Sequence, residues 1–461
     1  MLEVNAPYDR SVITQLPTSD KASLEKAIST AHAYFKNQKQ WLPVYKRIEI
    51  LEKIAVIMEE RTEKLITDAA REGGKPYTDS KVEVLRAING VKLAVQCLSG
   101  FHGEEIPMGL TKASEGRMAF TRREPIGVVA SVSAFNHPVN LIIHQTVPAI
   151  AVGAPFIVKP ASATPISCLN LMEIFREAGL PEEVGVAHLC DRDSAGFLVT
   201  DPRINYLSFI GSGEVGWKLR SQVAPGTRCG LEHGGVAPVI VFDDADIDAM
   251  IPQLVKGGFY HAGQVCVSVQ CVFAPKGNAR DIADRIAEKA KNLVVGDPLD
   301  PKTEVGPIIT DWELNRVGEW VQEAVKDGAQ LLCGGENHSA TCYKPTVLFN
   351  PPKNAKVTQH EIFGPVVCVY GYEHPDEALE IINNMPYGFQ SALYTQNIDK
   401  AFSYGKQLNA TAVMINDHTA FRVDWMPFGG RDQSGLGLGG IPYSMHEMSR
   451  EKMFVFKTPA S

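Results

Sequence analysis

No two of the nine cysteines form a CxxC pair; they stand at positions 97, 168, 190, 229, 266, 271, 333, 342 and 368. That spacing argues against a zinc cage, and the odd count argues against a closed disulfide framework. Reduced thiols in a cytoplasmic setting are expected, with no metal site. Positive charge is not in excess either. Against 53 acidic residues stand 45 basic ones, a formal charge of −8, which disfavours nucleic acid or an anionic membrane as the main partner. An uninterrupted apolar run of membrane-spanning length is also missing. The stretch Val139–Val158 has no Asp, Glu, Lys or Arg, but Asn140, His144, Gln145, Pro148, Gly153 and Pro155 break it. Hydrocarbon gives such polar groups no partners, so a buried helix followed by a buried strand is expected there. Met1-Leu2-Glu3-Val4-Asn5 lacks a basic segment leading into an apolar one, so no signal peptide is expected. There is no repeat of fixed period and no low-complexity segment.

What remains is an ordinary globular composition, 44% apolar and 21% charged, over 461 residues. At roughly 150 residues per domain this length suggests two or three domains. Val44, Ile48, Leu51, Ala55 and Met58 recur at helical spacing, and the helix they predict is stopped by Gly73-Gly74 and Pro76. Val84, Ile88, Val91, Val95 and Leu98 predict a second helix, and Phe101–Arg117 an extended arm. From Pro125 onward short apolar runs (Ile126–Ala134, Phe156–Lys159, Val184–Leu189, Ile204–Ile210, Ala237–Phe242) alternate with amphipathic segments such as Pro165–Ala178. This alternation predicts an α/β protein whose parallel sheet is covered on both faces. A second alternating set runs from Ile247 to about Asn416, with a strand at Gln270–Pro275 and a helix at Ala279–Leu293. Met453–Lys457 reads as a lone strand in need of a sheet edge, which another subunit is able to provide.

Three segments carry candidate chemistry. Gly211-Ser212-Gly213-Glu214-Val215-Gly216 follows an apolar run and opens a helix, the setting in which GxGxxG cradles a pyrophosphate. Glu232 lies 16 residues beyond Gly216, near the spacing of a ribose-binding acid. Cys266, within Gly263-Gln264-Val265-Cys266-Val267-Ser268, differs from the other cysteines in having glycine and polar neighbours; it is a candidate nucleophile. Leu231-Glu232-His233-Gly234-Gly235 sets a carboxylate beside a glycine turn, either as a capping group or, in a dry site, as a base of raised pKa.

Taken together and in order, these segments resemble the aldehyde dehydrogenase superfamily along nearly the whole chain. The motifs are Phe135-Asn136-His137-Pro138, Lys159-Pro160-Ala161-Ser162, Phe209-Ile210-Gly211-Ser212, Glu232-His233-Gly234-Gly235, Gly263-Gln264-Val265-Cys266, Glu361-Ile362-Phe363-Gly364-Pro365 and Pro427-Phe428-Gly429-Gly430, with 34 residues from Glu232 to Cys266. The resemblance implies an aldehyde dehydrogenase-like fold of two Rossmann-related parallel-sheet domains plus a small β oligomerisation element. It implies residues 1–106 and 126–233 for cofactor binding, 234–430 for catalysis, and 107–125 with 431–461 for joining subunits edge to edge in a homodimer or homotetramer.

The resemblance also implies site roles. Cys266 attacks a small aldehyde to give a hemithioacetal and then a thioester. Asn136 and the backbone N–H of Cys266 hold the oxyanion, and Glu232 activates water, which displaces its reading as a ribose ligand. Lys159, Gly211, Ser212, Gly216, Glu361 and Phe363 fall on the cofactor side. Ser162 stands where NAD-specific members carry a glutamate, which leaves room for a 2′-phosphate; NADP is expected to be accepted, without excluding NAD. His233 replaces an apolar residue and is expected to pack beside the base. His137 and Arg422 are expected in the substrate pocket, with Arg86 a weaker candidate. Arg422 is expected either to meet a substrate anion or hydroxyl, or to pair with Asp424 or a neighbouring subunit. The apolar Val265 favours a hydroxylated or singly charged aldehyde. Lactaldehyde, glycolaldehyde and semialdehydes fit, in the branch of lactaldehyde and non-phosphorylating glyceraldehyde-phosphate dehydrogenases. A coenzyme-A-acylating enzyme and a catalytically silent binding protein stand as alternatives.

Overall fold

The apolar runs after Pro125 become strands because both of their faces are covered. In a computed structural model that describes residues 1–457, leaving out the side chain of Arg192, Val128, Val129 and Ala130 are wholly buried. The first sheet places Gly435-Leu436, Arg228–Glu232, Ile204–Ile210, Val128–Val132, Phe156–Lys159 and Gly185–Ala187 side by side, all parallel except the 435–436 edge. The helix Asn140–Val152, buried at every position, fills one face and packs against helices Val44–Glu60 and Tyr77–Leu98. Lys21–Lys36 and Arg192–Thr200 cover the other face. The predicted helix-then-strand over 139–158 is what forms.

The second sheet orders Gln330–Cys333, Thr346–Phe349, Val366–Tyr372, Cys271–Pro275, Val239–Val241, Gln390–Tyr394 and Ala412–Ile415. Only its first strand is antiparallel. Helices such as Ile247–Phe259, Lys276–Lys291 and Asp311–Lys326 bury their apolar faces on it. A separate antiparallel sheet joins Glu105-Ile106, Arg117–Pro125 and Ser449–Lys457.

Three local expectations change, and one strand had not been expected. The helix starting at Val44 is two helices, 44–60 and 62–73, broken at Arg61, where the Thr62 hydroxyl bonds back to the Met58 and Glu59 carbonyls. The helix expected at 279–293 begins earlier, at Lys276. The strand Arg228–Glu232 has no apolar run to announce it, since only Leu231 in it is fully buried. The terminal strand is not lone: it spans Ser449–Lys457 and pairs along all nine residues with 117–125 of its own chain. No described helix is long and apolar enough to cross a membrane. Loops leaving the carboxyl ends of the first sheet's strands meet loops of the second, the usual place for a ligand crevice in such sheets.

Candidate active site

Cys266 sits in a loop whose shape is set by unusual backbone. His261, Ala262 and Gly263 take left-handed φ values of 49°, 53° and 67° in succession. At Gly263 a Cβ would also overlap the Gly364 carbonyl, so only glycine fits. Gln264 anchors the next turn of the loop: its amide donates to the Pro307 carbonyl (3.1 Å) and accepts from Ile309 N–H (3.0 Å). The result is a part-exposed thiol on a cleft of about 770 Å³. Six of the other cysteines are buried, while Cys97 and Cys229 are part-exposed but do not line that cleft. Burial, reinforced by the charge of Glu232, pushes the Cys266 thiol well above its ordinary pKa; Arg422 works in the opposite direction.

Asn136 and Glu232 line the same cleft. The Asn136 side chain is buried and gives one amide N–H to the Gln264 carbonyl at 3.0 Å, which orients the amide beside the cysteine loop and leaves its second N–H. Glu232 ends its strand with no hydrogen-bond donor, and its nearest cation is Arg422, 4.0 Å away. Burial raises the Glu232 carboxyl above its ordinary range, and Arg422 moderates the rise. Arg422 lies over the Phe428 ring, 3.5 Å from its centroid, with its Nε buried and unpartnered. It does not pair with Asp424. That carboxylate is taken by Arg86 (2.7 and 3.2 Å) and His144 (2.8 Å), which leaves Arg422 turned to the cleft.

The remainder of the cleft offers groups able to hold a dinucleotide. The helix Gly213–Arg220 has no side-chain cap at Ser212, and Gly211, Ser212, Glu214 and Val215 line the cleft at its amino end. Glu361 reaches in from the loop before the second sheet's strand Val366–Tyr372, with Oε1 buried and without a partner, and burial pushes its carboxyl up to about 8. An orphaned buried carboxylate oxygen and uncapped helix amides suit ribose hydroxyls and phosphate. Phe363 (φ 49°) meets the Phe135 ring edge-on at 5.9 Å. Lys159 and Ser162 stand outside the lining, with Ala161 between them inside it. Lys159 is half-buried and bonds the Pro160 carbonyl (3.0 Å), and Ser162 is exposed. Gly216 is also outside the lining. It packs against the His233 ring, where any side chain would clash. His233 Nδ1 bonds the Gly211 carbonyl at 3.0 Å, so this histidine braces the Gly-rich turn against the strand of Glu232.

His137 lines the cleft beside Asn136, and its Nδ1 lies 2.7 Å from the Nζ of Lys75, a fully buried residue ion-paired with Glu83. Lys75, Glu83, Gln264 and Tyr260 are site residues that the sequence reading missed. Lys75 precedes a proline after a helix-ending Gly-Gly, and nothing in that local pattern signals burial. Among the described residues no group of three or more His, Cys, Asp or Glu is placed to hold a metal.

Comparison with known proteins agrees with this geometry. The sequence profile of the aldehyde dehydrogenase family matches residues 1–454, and the chain belongs to that family. It is an NAD(P)-dependent aldehyde dehydrogenase with the family's α/β fold. It is 38% identical to a lactaldehyde dehydrogenase of Methanocaldococcus jannaschii, over 98% of this chain and 97% of that one. It is 36% identical to a 3-sulfolactaldehyde dehydrogenase of Priestia aryabhattai, over 98% of this chain and 94% of that one. The crystal structure of a glyceraldehyde-3-phosphate dehydrogenase, GapN, from Methanocaldococcus jannaschii, complexed with NADP, superposes with a TM-score of 0.94 at 36% identity, covering 99% of each chain.

Proposed function

We propose that this enzyme oxidises a short aldehyde with a hydroxylated or anionic tail to its carboxylic acid, with Cys266 as nucleophile. The reading is carried by one observation: a thiol, an oriented amide, an acceptor carboxylate and a guanidinium 4.0 Å from that carboxylate, all from remote parts of the chain, line one cleft. Glu232, whose raised pKa makes it a stronger base, takes the thiol proton directly or through water. The thiolate adds to the carbonyl, and the oxyanion is received by the second N–H of Asn136 and the backbone N–H of Cys266. The bound dinucleotide supplies the hydride acceptor. Once Glu232 has passed that first proton to solvent, it deprotonates the water that attacks the thioester left on Cys266, and the acid forms as the sulfur leaves as thiolate. Arg422, with free donors beside Glu232, receives the tail of the substrate. The substrates named for the relatives (lactaldehyde, sulfolactaldehyde, glyceraldehyde 3-phosphate) share a polar tail, which supports this class.

For the cofactor, Glu361, Ser212 and the amides after Gly211 hold the dinucleotide, and Ser162 and Lys159, which stand outside the lining on either side of Ala161, leave room for a 2′-phosphate at its edge. Comparing kcat/KM for NADP and NAD tests this; a preference for NAD of roughly a hundredfold or more would sink it. The domain division expected from the sequence, a homodimer or homotetramer joined through the 117–125 and 449–457 strands, and a cytoplasmic setting for nine unpaired thiols belong to the same proposal. Its experiment is an aldehyde panel followed by absorbance of the reduced dinucleotide. Turnover is expected with hydroxylated and singly charged aldehydes. In Cys266→Ala it is expected to fall by roughly 10⁴-fold or more. Persistence of turnover in that variant would remove the nucleophile assignment.

A further inference from the structure

The mechanism leaves unexplained why a lysine is fully buried behind the substrate side of the cleft. Lys75 is 1% exposed, in a loop before helix Tyr77–Leu98, and its Nζ touches two atoms: Glu83 Oε2 and His137 Nδ1, the latter at 2.7 Å. The other Glu83 oxygen accepts from the Val139 and Asn140 N–H groups at 2.8 and 2.9 Å, so both oxygens act as acceptors, as a carboxylate's do. Burial lowers the Lys75 pKa, and the contact with this carboxylate opposes that fall and holds the ammonium. An ammonium has donors only, so the His137 nitrogen facing it presents its lone pair. A neutral imidazole carries one proton, which then resides on Nε2. No described residue accepts from Nε2, and the ring lines the cleft between Asn136 and the Arg86 and Arg422 side.

We propose that Lys75 is a positioning residue that fixes His137 as an Nε2–H donor, so that with Arg422 the cleft recognises an oxygen acceptor on the tail of the aldehyde. The inference rests on the aldehyde oxidation proposed above and assigns the recognition to a particular proton. It makes His137 a donor and never an acceptor or a base. Burial holds the His137 pKa well below its ordinary value, and the nearby Lys75, Arg86 and Arg422, with the His261 ring 6.4 Å away, add to this. Only Glu83, at 3.9 Å and already paired, is anionic. The shared chemistry of a hydroxyl oxygen and a carboxylate, sulfonate or phosphate oxygen is hydrogen-bond acceptance, and both satisfy the site.

The first test is NMR of the full-length enzyme labelled with ¹⁵N-histidine, with the His137 ring assigned by difference against His137→Gln. The expected result is the Nε2-protonated, Nδ1-bare pattern from about pH 6 to about pH 9. An Nδ1–H tautomer or an imidazolium in that range overturns the proposal. In Lys75→Met that pattern is expected to give way to mixed tautomers; if the variant does not fold, the wild-type spectrum still decides. The second test compares matched substrates that differ in the tail: lactaldehyde against propionaldehyde, and succinic semialdehyde against butyraldehyde. In His137→Phe the kcat/KM ratio within one or both pairs is expected to fall by about tenfold or more, the loss of one donor. His137→Gln, which keeps an N–H, is expected to retain more of the ratio. Smaller falls in both pairs, or equal losses in the two variants, overturn the proposal. If the wild-type enzyme oxidises no aldehyde, the function proposed above fails, while the spectrum still reports the tautomer.

Discussion

Glu232, the proposed base, sits in surroundings that penalise its charge. Its carboxyl is raised above the ordinary 4.5 by burial and held in check by Arg422. Since hydrolysis needs the ionised form, kcat is expected to fall on the acid side through a pKa above 4.5. In Arg422→Met the moderating cation is gone, the carboxyl pKa rises further, and the acid limb of the kcat–pH profile is expected to move to higher pH. A limb that stays put or moves down would show that these two groups are not coupled. Asn136→Ala removes the proposed oxyanion donor and is expected to cost about 10²–10³ in kcat, read under saturating substrate. The sequence singled out Cys266, Glu232 and Asn136 because the motifs that contain them are short and contiguous, and the structure brings all three to one cleft. The freedom of Arg422 was not. Whether it pairs with Asp424 depends on Arg86 and His144, which stand 338 and 280 residues from that aspartate.

At the scale of the element, the cysteine is presented by a loop, not by a helix terminus. Its left-handed run from His261 to Gly263 and the Gln264 anchor decide where the sulfur points. Gly263→Ala meets both a positive φ and the Gly364 carbonyl, so a loss of at least about 1 kcal/mol is expected, seen as a lower Tm together with lower kcat. An unchanged Tm and kcat would show that the loop tolerates another shape. The segment before Phe428 is held through Asp424. Burial opposes its ionisation, but hydrogen bonds from His144 and Arg86 outweigh this and hold the carboxyl below its ordinary range. That stabilisation is present above the unfolded pKa of about 4 and is lost as pH falls below it. Asp424→Asn is expected to cost about 3 kcal/mol, the low end for a broken buried pair because Arg86 is 26% exposed, measured as a drop in Tm at neutral pH. Strands with unbroken apolar runs and helices with clean periodicity were legible. Arg228–Glu232, which ends at the base, was not, since an arginine, a cysteine and a glycine hide its pattern.

The whole molecule carries an exposed apolar stripe on each face of its antiparallel ribbon: Met118 (50% exposed) beside Phe456 (46%) on one face, Met453 (56%) and Val455 (46%) on the other. Light scattering at micromolar concentration is expected to show a dimer or tetramer, and Phe456→Asp is expected to shift it toward smaller species. A wild-type monomer would leave those stripes without the proposed role. The ribbon itself is intramolecular, a pairing of residues more than 300 positions apart that no local pattern encodes. By itself the sequence determined the layered α/β architecture and the chemical types in the site, because burial periodicity and reactive side chains are local properties of the chain. The tertiary structure alone decided which charges are spent on one another and which face the cleft. Lys75 against Glu83 and His137, and Asp424 against Arg86 and His144, are matters of distance in space, and such partnerships depend on how the layers pack.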